Sequence, residues 1–321
     1  MSNRRNFLRN ATLLGAGAMA VPHVVSADML DTLRFSDKKR ALRIAHITDM
    51  HILDKQNATT CLKKVFQEIN NLKDKPDLIL NTGDTIMDAN NQTKEEVEKR
   101  WKVWQTISQA ENKIPIKSAI GNHDVWYHHK NPELDAEYQK DARYGKQWAI
   151  DILGIPDRYY TFKMKGWHFF ALDSINGKEG YQLDDEQFEW LKSELAKIPE
   201  KSPVCVFNHI PIISACSWLY YTNRKKTNEV GFPNWDLHID VKRIKDLFYQ
   251  HKNVKICLSG HIHYFDSVEF LGVKYLCNGA VSGNWWGDPI VLDEFPPVYA
   301  IIDLYTDGST DCQLVAYDWK M

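Results

Sequence analysis

From residue 42 onward the hydrophobic positions switch repeatedly between two periods. Residues 42–47 (Leu42-Arg43-Ile44-Ala45-His46-Ile47) are a short, mostly apolar run closing at Asp49, which predicts a buried strand. Over 57–72, Leu62, Val65, Phe66, Ile69 and Leu72 fall three and four apart, which predicts a helix with one apolar face. Residues 77–80 are a second strand ending at Gly83-Asp84. Thr93 with Glu96 reads as a capping box, opening a helix that carries Val97, Trp101, Trp104 and Ile107 on one side. Residues 114–120 form a third strand, ending at Gly121. Three strand–motif–helix units in succession predict a mostly parallel sheet with crossover helices.

The rhythm breaks over 125–158, a polar stretch with Tyr and His that reads as a partly helical insertion. Residues 159–163 and 167–172 then predict a hairpin turning at Lys165-Gly166. A helix follows over 184–198, burying Phe188, Leu191, Leu195 and Ile198. The strand 204–207 ends at Asn208-His209, and after a long loop and a helix over 240–250, the strand 254–258 ends at Gly260-His261. The tail is strand-like at 267–270, 273–277, 298–304 and 313–317. With no repeat and no linker after residue 40, one catalytic domain over 40–321 is the economical reading.

Composition narrows the class. The 321 residues are 44% hydrophobic and 26% charged, as globular chains are. The 40 basic and 42 acidic side chains leave a net charge of −2, and no basic run gathers nucleic acid. No apolar stretch reaches the roughly 20 residues that span a bilayer. Residues 1–27 stand apart from the fold. Asn3-Arg4-Arg5-Asn6-Phe7-Leu8-Arg9 precedes a weakly apolar run to Val21, and Val25-Ser26-Ala27 offers a cleavage site. The paired arginines followed by Phe-Leu resemble the twin-arginine export signal. That implies transport of the folded protein to the periplasm by the twin-arginine machinery. No Cys stands at the cleavage site, so no lipid anchor is expected. The six cysteines (61, 205, 216, 257, 277, 312) have no C-x-x-C spacing. Cys205 and Cys257 read as buried strand packing, with disulfides left open.

Five short motifs sit at strand ends: Asp49-x-His51, Gly83-Asp84, Gly121-Asn122-His123-Asp124, Asn208-His209 and Gly260-His261-Ile262-His263. In an open α/β sheet, the loops after the carboxyl ends of strands converge on one crevice. Asp, Asn and His meet there without thiolate, a donor set suited to Zn, Fe or Mn. The donors outnumber what one ion needs. A carboxylate shared by two ions about 3.5–4 Å apart is the natural solution for displacement at phosphorus.

In order and type these motifs resemble the calcineurin-like metallophosphoesterases, from Asp49 to His263. The resemblance implies a four-layer αββα sandwich, two mixed sheets flanked by helices, with a β-rich C-terminal portion. It implies one metal ion on Asp49, His51 and His263, and a second on Asn122, His209 and His261, with Asp84 bridging. His123 would be the proton donor, steadied by Asp124, and a hydroxide shared by the ions would attack a small-molecule phosphate ester. Departures narrow the branch. Purple acid phosphatases carry Tyr where Met87 stands, and protein phosphatases carry Asp-Arg-Gly after the Gly-Asp aspartate, where Thr85-Ile86-Met87-Asp88 continues here. The pattern looks more like bacterial cyclic-nucleotide and glycerophosphodiester phosphodiesterases. A phosphomonoesterase or nucleotidase on the same residues is the alternative, and a non-catalytic scaffold the third. Trp285 and Trp286, between glycines, and Tyr220, in the loop after His209, are candidate substrate-facing residues. His46 reads as a packed strand histidine, and His128 and His129, in the insertion, as solvated, with a place near the substrate the alternative.

Overall fold

A computed structural model describes residues 38–176, 179–217, 235–287 and 294–317. Residues 1–27, expected to be an export signal, and Tyr220 lie outside the described residues. In chain order the first half contains β1 (Arg40–Ile47), α1 (Gln56–Asn71), β2 (Leu78–Asn81), α2 (Lys94–Glu111), β3 (Ile116–Ser118), α3 (Pro132–Tyr138), α4 (Gln147–Leu153) and β4 (Tyr160–Met164). The second half contains β5 (Trp167–Ala171), α5 (Asp185–Ala196), β6 (Val204–Phe207), α6 (Val241–Gln250) and β7 (Val254–Ser259). It closes with β8 (Phe265–Phe270), β9 (Val273–Asn278), β10 (Val298–Tyr305) and β11 (Thr310–Ala316).

These strands form two sheets, ordered β11-β10-β1-β2-β3 and β4-β5-β6-β7-β9-β8. The parallel part is as the crossovers predict: β1, β2 and β3 run together, with Ile44 opposite Leu78 and Ile79 opposite Ile116. Both sheets are nevertheless mixed. β10 returns antiparallel beside β1, setting Ile302 opposite Ile44, and β4 and β8 are antiparallel edges of the second sheet.

The pleat of the central parallel strands separates two apolar layers. Phe169, Ala171, Cys205, Phe207, Ile256 and Leu258 point toward the cluster shared with the first sheet, α1 and α2. Their neighbours Phe170, Val204, Val206 and Cys257 point the other way, onto Leu191 and Leu195 of α5 and Ile244, Leu247 and Phe248 of α6. Burial on both faces explains why these strands read as continuous apolar runs. Helices therefore flank a pair of facing sheets. The helices start as their sequences require: Thr93 accepts from the Glu96 N–H and Asp184 from the Gln187 N–H. α1 has no side-chain cap and is held by its buried face, Leu62, Val65, Phe66 and Ile69 among it.

The stretch 125–158 holds α3 and α4, with Trp126 packed on Tyr138 and Trp148 at ring separations of 4.5 and 5.0 Å. Lys146 and Arg158 both reach the buried Asp173 beyond β5, at 2.5 and 3.0 Å, and tie this stretch to the second sheet. All six cysteines are free thiols, and burial raises the pKa of Cys205 and Cys257.

Candidate active site

The loops after β1, β2, β3, β6 and β7 meet at one end of the paired sheets and are hydrogen-bonded to each other. The Asp49 N–H donates to the Gly83 carbonyl, the His51 N–H to that of Asp84, and the Gly260 N–H to that of His209. This mesh holds an unusual backbone. Asp49, His51, Asp84, His261 and His263 all have positive φ, between 42° and 72°. Such residues cost about 1–3 kcal/mol each and persist only where their surroundings impose them. The motif glycines answer a different need. A Cβ on Gly121 would collide with Asp84, and one on Gly260 with Thr48 and Asp49.

Three trios of Asp and His side chains have ligand atoms close enough to hold one ion each: Asp49, His51 and His263; His51, Asp84 and His123; and Asp84, His209 and His261. Asn122 joins the last, its Oδ1 3.0 Å from Nε2 of His209. The donor chemistry fits cations. Nδ1 of His263 faces the Gly283 carbonyl at 2.6 Å and Nδ1 of His209 faces that of Thr82 at 2.9 Å. Each ring thus donates its N–H to backbone and turns the other nitrogen inward, as metal-ligating histidines do. Nε2 of His261 meets the Trp235 carbonyl at 2.6 Å, which leaves Nδ1 as its lone-pair nitrogen. His51 and His263 confront each other Nε2 to Nε2 at 3.0 Å, with Oδ1 of Asp49 3.4 Å from the latter. The indole N–H of Trp285 points at the His51 nitrogen, making it an acceptor too. Facing acceptors beside a buried carboxylate call for a positive ion between them.

The charge pattern is sharply divided. Burial pushes His51 down to about 3, and burial with the His209 charge pushes His261 down to about 4, so both are neutral. Burial works against the charged forms of His123 and His209, but Asp84 outweighs it and raises both to about 9, with Asp88 helping at His123. Burial likewise opposes the Asp84 charge, yet the His209 and His123 charges hold its carboxyl well below the usual range.

All seven expected ligands come together here, and His123 stands beside them with Nε2 4.0 Å from Oδ2 of Asp84 and its side chain 27% exposed. Asp124 does more than add its charge to those of Asp84 and Asp88 in favour of that imidazolium. Its Oδ1 accepts the Thr85 and Ile86 N–H groups and its Oδ2 that of Gly121, so it organises the loop backbone. Burial and the Asp84 charge push its carboxyl up to about 7. The carboxylate facing Nδ1 of His123 is Asp88, 3.6 Å away, which the motif reading left unassigned although it was visible as the second acid after Gly83. Trp286 is also placed differently: it is buried, and its indole donates to the Met50 and His51 carbonyls, so it supports the first loop and faces no substrate. Trp285 is half exposed at the rim. His46 is packed, between Thr82 and Asn278.

The calcineurin-like phosphoesterase pattern matches residues 42–265, which contain the seven expected ligands together with Asp88, His123 and Asp124. The chain belongs to that family. Proteins similar to it include the 3',5'-cyclic adenosine monophosphate phosphodiesterase CpdA of Escherichia coli K12, 24% identical over 294 residues, spanning 88% of this chain and 92% of the relative. The probable glycerophosphodiester phosphodiesterase GpdQ of Arcobacter nitrofigilis is 26% identical over 84% of this chain and 83% of its own. Among solved structures, a dimetal phosphatase from Danio rerio superposes with a TM-score of 0.58 at 13% identity, over 87% of this chain and all of that one. The purple acid phosphatase PPD1 of yellow lupin gives 0.56 at 15% identity, over 86% of this chain and 52% of its own, a likeness of fold. This calcineurin-like phosphoesterase is a hydrolase of phosphoric esters, with a His/Asp cluster suited to divalent metal.

Proposed function

We propose that the protein is an exported phosphodiesterase working with two metal ions. The observation that carries this reading is the position of Asp84, whose Oδ2 lies 3.1 Å from Nε2 of His209 and 3.7 Å from Nε2 of His51. One carboxylate thus stands between two sets of imidazoles. Asp49, His51 and His263 would hold one ion, Asn122, His209 and His261 the other, and Asp84 would serve both. Ions of Mn, Fe or Zn, when bound, supply a water acidic enough to ionise near neutrality and positive charge at the phosphoryl oxygens.

The side chains supply the rest. His123 is protonated at neutral pH under the influence of Asp84 and Asp88, and its part-exposed ring keeps Nε2 on the side of the cluster, 4.0 Å from Oδ2 of Asp84. It donates its proton to the departing ester oxygen. Asp88 holds the imidazolium by charge, and Asp124 fixes the loop that carries it. Trp285 borders the entrance and offers an aromatic face to the ester group. Preference for a diester is supported by relatives named as cyclic-nucleotide and glycerophosphodiester phosphodiesterases. The twin-arginine pattern at Arg4-Arg5 supports export after folding, with metal loaded beforehand. The domain is proposed to run over residues 40–321. The test is hydrolysis of a nitrophenyl diester and monoester by chelated and Mn-, Fe- or Zn-reconstituted protein. Activity that survives chelation, or monoester turnover far above diester, rejects the proposal.

A further inference from the structure

Trp285 stands where the two-ion chemistry alone does not require it. Its indole N–H points at Nε2 of His51 from 3.0 Å, and its ring lies 4.9 Å from that of His263. The position is imposed by the backbone. Trp285 and Trp286 have φ of 47° and 63°, a left-handed conformation that bulky aromatic residues adopt only under constraint. The turn is pinned to the loop it faces: the Trp286 N–H donates to the Ser282 carbonyl, its indole to the Met50 and His51 carbonyls, and Asn57 donates to its own carbonyl. The backbone that carries Trp285 is therefore fixed to the His51 loop, while its half-exposed indole can still turn about its own side-chain torsions.

A neutral imidazole nitrogen has a single in-plane lone pair. At Nε2 of His51 it can serve the indole N–H or a metal ion, but not both. The other rings are arranged the opposite way, because the partners of His209 and His263 are carbonyls on the far nitrogen, which favour ligation. We infer that Trp285 is a built-in competitor for the ion at Asp49, His51 and His263. The ion displaces the indole hydrogen bond, and the indole weakens the hold on that ion. Coupling of this kind is reciprocal. Occupancy of one metal position thereby sets where the half-exposed aromatic wall of the entrance lies and whether its N–H is free for an oxygen of the substrate.

The inference rests on the two-ion reading, and its test separates the two. Zn²⁺ binding to the full chain is measured by competition with a chromophoric chelator, for wild type, Trp285→Phe and Trp285→Leu. Both variants lack the N–H, and the first keeps a ring against His263. One of two ions should bind about 3–10-fold more tightly in both variants, the usual net worth of a hydrogen bond, with the other unchanged. Wild-type indole emission should change as that ion binds, and the change should be absent from Trp285→Phe. Equal or weaker affinity in both variants, or emission indifferent to Zn²⁺, overturns the inference while leaving the two-ion reading intact. A wild-type protein that takes up no ion overturns both.

Discussion

Oδ2 of Asp84 lies 3.1 Å from Nε2 of His209. The same carboxylate accepts the His123 backbone N–H through Oδ1 at 2.8 Å, so its orientation is fixed from the side away from the imidazoles. Asp84→Asn keeps the shape but removes the charge that both proposed ions share. It should lower the content of both ions, whereas His51→Ala should empty mainly one. Elemental analysis of the purified variants checks this, and two tightly held ions in Asp84→Asn would contradict the bridge.

Export is tested independently of the site. Arg4→Lys with Arg5→Lys keeps the positive charge but removes the paired guanidinium groups read by the twin-arginine receptor. The doubly substituted protein should stay in the cytoplasm, as followed by cell fractionation. Unchanged appearance in the periplasm would point to another route.

A pH dependence follows from His46, wholly buried between the sheets. Its Nδ1 accepts from Asn278 at 2.8 Å, and its Nε2 pairs with Thr82 at 2.9 Å. Burial lowers its pKa from 6.5 to about 4. Between those values the unfolded chain binds a proton that the folded chain does not, so stability is full above about 6.5 and falls as the pH drops toward 4. The loss attributable to His46 is on the order of 2–3 kcal/mol. His46→Gln, which cannot titrate, should flatten part of that slope in denaturant unfolding measured from pH 7 to pH 4.5. A slope identical to wild type would show that His46 does not carry it.

Much of this could be read from the chain because its signals are local. The apolar runs give β1, β2, β6 and β7, and Thr93 with Glu96 fixes the start of α2. The ligand types at strand ends are unusual for turns, so their convergence is legible without coordinates. What stayed hidden depends on contacts far apart in sequence. Nothing near β10 says that it returns antiparallel beside β1. Nothing near Gly260 says that a Cβ there would strike Asp49, 211 positions earlier. Adjacent residues mislead in their own way. In the 3₁₀ turn Asn122–Asp124, successive side chains diverge by about 120°, so His123 and Asp124 point apart and Asp88 takes the place expected for Asp124. Trp285 and Trp286 likewise look equivalent in sequence, yet one lines the rim and the other packs beneath the loop.

That divergence makes the role of His123 separable from its neighbours. As a proton donor, it should be dispensable for metal: His123→Ala should keep its ions and lose about 10²–10⁴-fold in turnover. The loss should be largest for an alkyl diester, whose alkoxide needs the proton, and smallest for a nitrophenyl ester, whose phenolate leaves without it. Asp88→Asn should give a milder version, because Asp88 raises the His123 pKa and does not supply the ring. Its signature is a shift of the alkaline limb of the rate profile to lower pH, since the imidazolium loses one of the charges that favour it. Asp124→Asn should behave differently, lowering thermal stability because an amide keeps one acceptor oxygen where the carboxyl group uses two for the Thr85, Ile86 and Gly121 N–H groups. Equal losses on activated and unactivated esters, with metal retained, would make His123 an electrostatic contact to the phosphoryl oxygens. Lost metal would place it in the trio with His51 and Asp84, as a ligand.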